Sequence, residues 1–222
     1  METKQAPEKT FTVTAHTGAM DTPENSILSM QTGLANADIV EFDVRFTADG
    51  VPVLSHNWPL PKDAVPLEEA FRLLAQHPDK QANVDLKSTD NMPAVQLLAE
   101  QTGVLPQIFF TGVGRSFVPA VRAGAPKIPY YLNCDINPFF KHSHTYAAKL
   151  AKRIQDCGAV GLNCNFHSAT PTIVAAMRKH GLLVSLWTAS NEEQLRKILH
   201  LHPDNVTTRI PDRVKSVMET GV

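Results

Sequence analysis

The residues best suited to chemistry lie in the segment 39–57, which reads IVEFDVRFTADGVPVLSHN. Glu41 and Asp43 are two residues apart, so on a β-strand both side chains point to the same face, while their apolar neighbours point to the other. Two acids on the inward face of a strand are costly unless a positive charge lies between them. We therefore expect a divalent cation here; a structural ion pair with arginine or lysine is the alternative.

Further polar residues stand where other short apolar segments end. Asp85 and Lys87 are again two residues apart, and the Asp49-Gly50 turn has hairpin chemistry that returns a histidine to the end of the second strand. That histidine is His56, and His16, Trp187 and Arg209 likewise lie at or near the ends of short apolar segments. Together with the acidic pair, these residues form the candidate site: His16, Glu41, Asp43, His56, Asp85, Lys87, Trp187 and Arg209.

A repeated unit carries these residues, namely a short apolar strand followed by an amphipathic helical stretch, at intervals of roughly 20–30 residues. Eight units predict an α/β fold, a single compact (β/α)8 TIM barrel over residues 1–222 with a small β-hairpin extension after strand 2. An open doubly wound sheet would have fewer units and usually a glycine-rich first turn. The predicted barrel strands are 11–15, 39–44, 82–86, 107–111, 127–134, 159–164, 182–188 and 205–208.

The carboxyl ends of barrel strands meet at one mouth, so the side chains of the candidate site should converge there. Three carboxylates, Glu41, Asp43 and Asp85, would form an oxygen-rich site suited to Mg²⁺ or Ca²⁺ and not to zinc. His16 and His56 can exchange protons near neutral pH. This arrangement suits an anionic substrate cleaved by general acid–base catalysis, although Asp85 could instead pair only with Lys87.

Composition narrows the function classes. The formal net charge of −1 argues against nonspecific nucleic-acid or anionic-membrane binding. The sequence lacks a run of about 18 apolar residues, so we expect no stable membrane insertion. Three cysteines without metal-site spacing predict free thiols and a reducing, cytoplasmic location; a leader removed from the N-terminus is the alternative.

Several segments, taken in order, resemble a known family. A-H-T-G at 15–18, P-E-N-S at 23–26, E-F-D-V-R-F-T-A-D-G-V-P-V-L-S-H at 41–56 and V-D-L-K at 84–87 are similar to the signature of the glycerophosphodiester phosphodiesterase family. L-W-T and T-T-R-I-P-D resemble its closing strands. The segment 41–56 is the specific part, because E-x-D, T-x-D-G and S-H occur together there.

The resemblance implies a metal-dependent TIM-barrel phosphodiesterase whose small-molecule substrate, a glycerophosphodiester, is split into glycerol phosphate and an alcohol. It implies a metal on Glu41, Asp43 and Asp85, two catalytic histidines at His16 and His56, and a phosphate contact from Lys87. One histidine would act as base and the other as acid; we expect His16 to be the base and His56 the acid. A substrate hydroxyl would attack phosphorus to give a cyclic phosphodiester, which water then opens.

The sequence departs from the family pattern at four places. Thr17 stands where the family usually has an arginine, and Arg209 on the eighth strand could restore that charge. The third metal ligand is Asp85 and not glutamate, as in the related sphingomyelinase D-type phospholipases. Asn57 replaces an aspartate, and only residues 58–65 remain of a usual insertion, which predicts a more open pocket.

Two other functions stay open on the sequence alone. One is a phospholipase D or sphingomyelinase D-like lyase acting on lysophospholipid head groups, favoured by Asp85 and the short insertion. The other is a non-catalytic barrel that binds a phosphodiester, favoured by Thr17. Trp187 serves either as a substrate platform or as a core residue.

Overall fold

The computed structural model describes residues 11–221. It contains nine strands: β1 (Thr12–Ala15), β2 (Ile39–Phe46), β3 (Pro52–Leu54), β4 (Gln81–Leu86), β5 (Ile108–Val113), β6 (Tyr130–Asn133), β7 (Gly161–Asn165), β8 (Leu183–Ala189) and β9 (Asn205–Thr208). The helices are α1 (Ile27–Asn36), α2 (Leu67–Leu74), α3 (Met92–Thr102), α4 (Val118–Gly124), α5 (His144–Asp156), α6 (Pro171–Lys179), α7 (Glu192–Leu199) and α8 (Val214–Glu219).

Eight parallel strands close into a barrel. The order is β1-β9-β8-β7-β6-β5-β4-β2, and pairing of β1 with β2 completes the ring. β3 pairs antiparallel with β2 outside the ring. The predicted (β/α)8 barrel with a hairpin after its second strand is therefore confirmed.

The helix starts follow from local sequence. Ser26, Ser143, Thr170 and Asn191 each precede a helix, and the side-chain oxygen of each accepts a hydrogen bond from the backbone N–H three residues later. This is the preferred chemistry of an N-cap, because it satisfies a backbone donor that has no partner inside the helix.

Element ends differ from the sequence prediction by a few residues. β6 begins at Tyr130 and not at residue 127, because Ile128 closes a turn onto Ala125 and Pro129 has no N–H to give to a sheet. The chain that follows β9 forms a 3₁₀ turn over Pro211–Arg213 before α8 begins. No helix within residues 11–221 is both long and apolar enough to cross a membrane.

The two faces of the barrel strands have different side chains. The outer face packs against the helices in an apolar core that includes Phe42, Phe71 and Leu132. The interior instead holds short polar side chains, such as those of Asn83 and Thr111, which are hydrogen-bonded to each other at 2.7 Å. Barrel interiors are usually filled by large branched residues, so this polar interior leaves room for a cavity beneath the mouth.

Candidate active site

Three carboxylates meet at the mouth of the barrel. Glu41 and Asp43 lie on the inner face of β2, and the register of β2 with β4 sets Asp85 beside Asp43. One oxygen atom from each of the three side chains lies within 4.8 Å of the others. Glu41 and Asp43 are only 6% and 2% exposed, so water does little to screen their charges.

The electrostatics of this cluster differ between its members. Burial raises the pKa of Glu41 well above its usual range, and the charges of Asp43 and Asp85 raise it further. Burial by itself would also raise the pKa of Asp43, but the Lys87 ammonium and the Asn25 amide hold it below the ordinary value. The protein's own groups thus stabilise the charged form of Glu41 less than that of Asp43.

Lys87 contacts the other two carboxylates. Its Nζ lies 3.0 Å from Oδ1 of Asp43 and 2.6 Å from Oδ2 of Asp85. Burial by itself lowers the pKa of Lys87, but these two partners together raise it above its usual value. A single lysine against three carboxylates leaves an excess of negative charge, which a divalent cation would balance. Because the donors are all oxygen atoms, the residues fit Mg²⁺ or Ca²⁺.

The segment before α1 holds two of the carboxylates in place. Asn25 is hydrogen-bonded twice to Asp43: its Nδ2 donates to Oδ2, and its Oδ1 accepts from the backbone N–H, both at 2.9 Å. The Thr17 N–H donates to Glu41 Oε2 at 2.8 Å, and the Thr17 hydroxyl accepts from the Asn25 N–H. The buried Thr17 side chain therefore supports the site structurally.

Asn25 is a site residue that the sequence analysis missed. It was included there only in the P-E-N-S segment at 23–26. Its backbone φ is 54°, in the left-handed region that few residues other than glycine adopt. The available signal was an asparagine directly before the N-cap Ser26, since asparagine tolerates this conformation best among ordinary residues.

His16 lies at the end of β1, beside the carboxylates. Its Nδ1 is 2.6 Å from the carbonyl oxygen of Thr17 and 4.0 Å from Glu41 Oε2. A carbonyl can only accept, so Nδ1 carries the proton and Nε2 is left with a lone pair. Burial lowers the pKa of His16, and the Arg209 charge lowers it further, against the Thr17 carbonyl that raises it. Burial and the Arg209 charge thus favour the neutral ring, which can accept a proton.

His56 follows β3 and reaches the same cluster. Its Nδ1 lies 3.3 Å from Asp43 Oδ2, and its side chain is 56% exposed. Its carbonyl accepts a 2.8 Å hydrogen bond from Arg45 Nε, which anchors the end of the hairpin. The hairpin therefore brings the second histidine to Asp43, on the solvent side of the site.

Arg209 reaches the mouth from the end of β9. Its Nη2 is 2.8 Å from Oε1 of Glu24. Its Nη1 lies next to Gly18, since a Cβ added to that glycine would be 3.3 Å from this nitrogen. Both Arg209 and Glu24 line the same cavity as His16. The mouth thus has an arginine from the last barrel strand, while the residue after His16 is the buried Thr17.

One cavity contains all eight predicted site residues. Its volume is about 670 Å³, and its wall includes His16, Glu41, Asp43, His56, Asp85, Lys87, Trp187 and Arg209. Asn133 and Asn163, to which the sequence analysis gave no role, also line it. The roles of these residues stay predictions; what the structure gives is their common location.

A family model matches part of the chain. Residues 16–62, which include His16, both β2 carboxylates and His56, match the model of the Glycerophosphoryl diester phosphodiesterase family. No curated protein sequence is significantly similar to the chain.

Solved structures share the fold over nearly the whole chain. A Silicibacter pomeroyi protein named as a candidate glycerophosphoryl diester phosphodiesterase is 20% identical, with a TM-score of 0.81 over 97% of this chain and 95% of that one. A glycerophosphodiester phosphodiesterase from Agrobacterium tumefaciens is 19% identical, with a TM-score of 0.74 over 92% and 99%. An Oleispira antarctica phosphodiesterase in complex with the product sn-glycerol-3-phosphate is 18% identical, with a TM-score of 0.76 over 93% and 96%. At these identities the likeness establishes the fold.

Proposed function

We propose that this chain, whose residues 16–62 match the model of the Glycerophosphoryl diester phosphodiesterase family, is a member of that family. It would be a metal-dependent enzyme that hydrolyses glycerophosphodiesters to glycerol phosphate and an alcohol. The observation that carries the proposal is the convergence of three carboxylates at one mouth, with a histidine 4.0 Å from Glu41 and another 3.3 Å from Asp43. The complex of the Oleispira antarctica phosphodiesterase with sn-glycerol-3-phosphate supports the substrate class.

Glu41, Asp43 and Asp85 would hold the cation, Mg²⁺ or Ca²⁺. When bound, it supplies positive charge for phosphate oxygens and for the charge that develops on them during the reaction. Lys87, already beside two of these carboxylates, and Arg209 add positive charge for the same phosphate. Trp187 offers a flat apolar surface in the cavity wall for the organic part of the substrate.

The two histidines would share the proton transfers. His16, whose Nε2 is left free by the contact of Nδ1 with the Thr17 carbonyl, takes the proton from the substrate hydroxyl that attacks phosphorus. His56, held through Nδ1 by Asp43, donates a proton from its other nitrogen to the departing alcohol oxygen. Water then opens the cyclic phosphodiester with the proton transfers reversed.

Turnover is the test. Purified protein would be assayed on glycerophosphocholine, glycerophosphoethanolamine and a chromogenic phosphodiester, with Mg²⁺, with Ca²⁺ and with chelator. We expect metal-dependent release of glycerol phosphate. A cyclic phosphate as the final product would indicate the phospholipase D-like lyase instead, and no turnover under any condition would leave only the binding function.

Substitution of the histidines tests their roles. His16→Ala and His56→Ala should each lower kcat by about 10²–10⁴-fold, the usual contribution of a positioned acid or base. His200→Ala is the matched control, because His200 is an exposed residue at the end of α7, away from the mouth. An unchanged kcat in either site variant would remove that histidine from the mechanism.

A further inference from the structure

Two buried polar atoms, in side chains that line the cavity, have no hydrogen-bond partner within the described residues. They are Oδ1 of Asn163 and Nε1 of Trp187, and neither makes a hydrogen bond with any group in residues 11–221. A buried polar atom without a partner is costly and calls for an explanation. Both residues line the same cavity as the carboxylates.

These two atoms belong to the wall opposite the carboxylates. In the closed ring of eight strands, β7 lies four strands from β2, and β8 lies four strands from β4. Asn163 pairs with Ser185 in the β7–β8 register, and Trp187 is two residues further along β8, so all three point to the same face. The two atoms therefore lie on neighbouring strands of one wall.

The orientation of the Asn163 amide is fixed by its neighbours. The Gly112 N–H donates to Oδ1 of Asn133 at 3.0 Å, which identifies that atom as an acceptor. Asn163 donates to the same oxygen through Nδ2 at 3.1 Å. An amide turned the other way would set two oxygen atoms against each other. The atom of Asn163 that lacks a partner within residues 11–221 is therefore an acceptor, and that of Trp187, whose indole N–H can only donate, is a donor.

We propose that Asn163 Oδ1 and Trp187 Nε1 together bind one hydroxyl group of the substrate, the outer hydroxyl of its glycerol part. A hydroxyl can donate to Asn163 and accept from Trp187 at the same time, whereas a methyl or a quaternary ammonium group can do neither. This inference rests on the proposed function and names a specificity site within it. It concerns a different hydroxyl from the one that attacks phosphorus.

Binding of two related phosphates measures this contribution. Titration calorimetry would compare sn-glycerol 3-phosphate with the matching enantiomer of propane-1,2-diol 1-phosphate, which lacks only the outer hydroxyl. The wild-type protein should bind the second ligand about 10- to 100-fold more weakly, since the two buried atoms would then lose their partner.

Two variants assign that preference to the two side chains. Trp187→Phe removes Nε1 while retaining an aromatic ring, and Asn163→Leu removes the acceptor. Each should abolish most of the preference between the ligands, and the double variant should lose little more, because both atoms contact one hydroxyl. Asn36→Leu, at the exposed end of α1, is the control and should keep the preference.

The outcomes separate this inference from the proposed function. Equal affinity of the wild-type protein for both ligands, or a preference that persists in Trp187→Phe, would overturn the hydroxyl site alone. Failure to bind either phosphate, with or without Mg²⁺ or Ca²⁺, would overturn the proposed function and this inference with it. If Asn163→Leu does not fold, Trp187→Phe decides the question, because its side chain gives up no hydrogen bond to residues 11–221.

Discussion

Replacement of Asn25 is the sharpest test of how the carboxylate cluster is held. In Asn25→Ala, Asp43 loses the 2.9 Å hydrogen bond to its Oδ2, and its backbone N–H loses the acceptor that now lies at 2.9 Å. Because Asp43 is 2% exposed, little water is available to replace either partner. The variant should therefore lose both stability and metal affinity.

The structure gives the size of the effect. A hydrogen bond to a charged group contributes about 1.5–3 kcal/mol, and a buried donor left without a partner costs about 1–3 kcal/mol. Asn25 itself is half-buried, so we take the lower part of this range and expect a loss of about 3 kcal/mol in the free energy of unfolding. For a chain of this size that is a Tm about 6–12 °C lower. Metal affinity should fall about 10- to 100-fold, as for other groups that orient a metal ligand.

Asn25→Gly is the matched comparison. It removes the same side chain but accepts the φ of 54° without strain, so it should be about 1 kcal/mol more stable than Asn25→Ala. Thermal and urea unfolding give the stabilities, and calorimetry with Mg²⁺ or Ca²⁺ gives the affinities. If Asn25→Ala unfolds within about 0.5 kcal/mol of wild type and binds the metal equally well, Asn25 does not hold Asp43.

Three further predictions concern the same mouth. Gly112→Ala should lose about 1–3 kcal/mol more of the free energy of unfolding than Gly103→Ala. Both glycines have a left-handed φ, but of the two only Gly112 would bring its new Cβ to 2.4 Å from Asp85 Oδ1 and from Leu86 O. Equal losses in the two variants would contradict this prediction. Saturating Mg²⁺ or Ca²⁺ at about 100 times its Kd should raise the free energy of unfolding by about 2.7 kcal/mol, measured by thermal unfolding, and Asp85→Asn should remove most of this rise. Arg209→Gln should raise KM for a phosphodiester about tenfold, as expected for the loss of an exposed charged contact of about 1–1.5 kcal/mol. Arg213, which does not line the cavity, is the control, and Arg213→Gln should leave KM unchanged. Equal KM values for Arg209→Gln and the wild-type protein would exclude the phosphate contact.

The local features of the site were accessible from sequence. Strand periodicity alone set Glu41 and Asp43 on one face and Phe42 on the other, because side chains alternate on any β-strand. The Asp49-Gly50 turn likewise determined that the chain would reverse after β2, since glycine there adopts a φ of 79° without strain. The eight repeats of strand and helix then predicted the barrel, which in turn predicted one mouth for the polar strand ends.

The contacts between distant segments were decided by the tertiary structure. Asn25 meets Asp43, and Arg209 meets Glu24 across 185 residues of sequence, because closure of the barrel sets β9 beside β1. Spacing along the chain has no information on such pairs. The orientation of the Asn163 amide depends likewise on Asn133 and Gly112, which lie on two other strands. The sequence by itself thus determined which chemical groups reach the mouth, whereas only the packed barrel decided their partners, because those partners are set by strand register and ring closure.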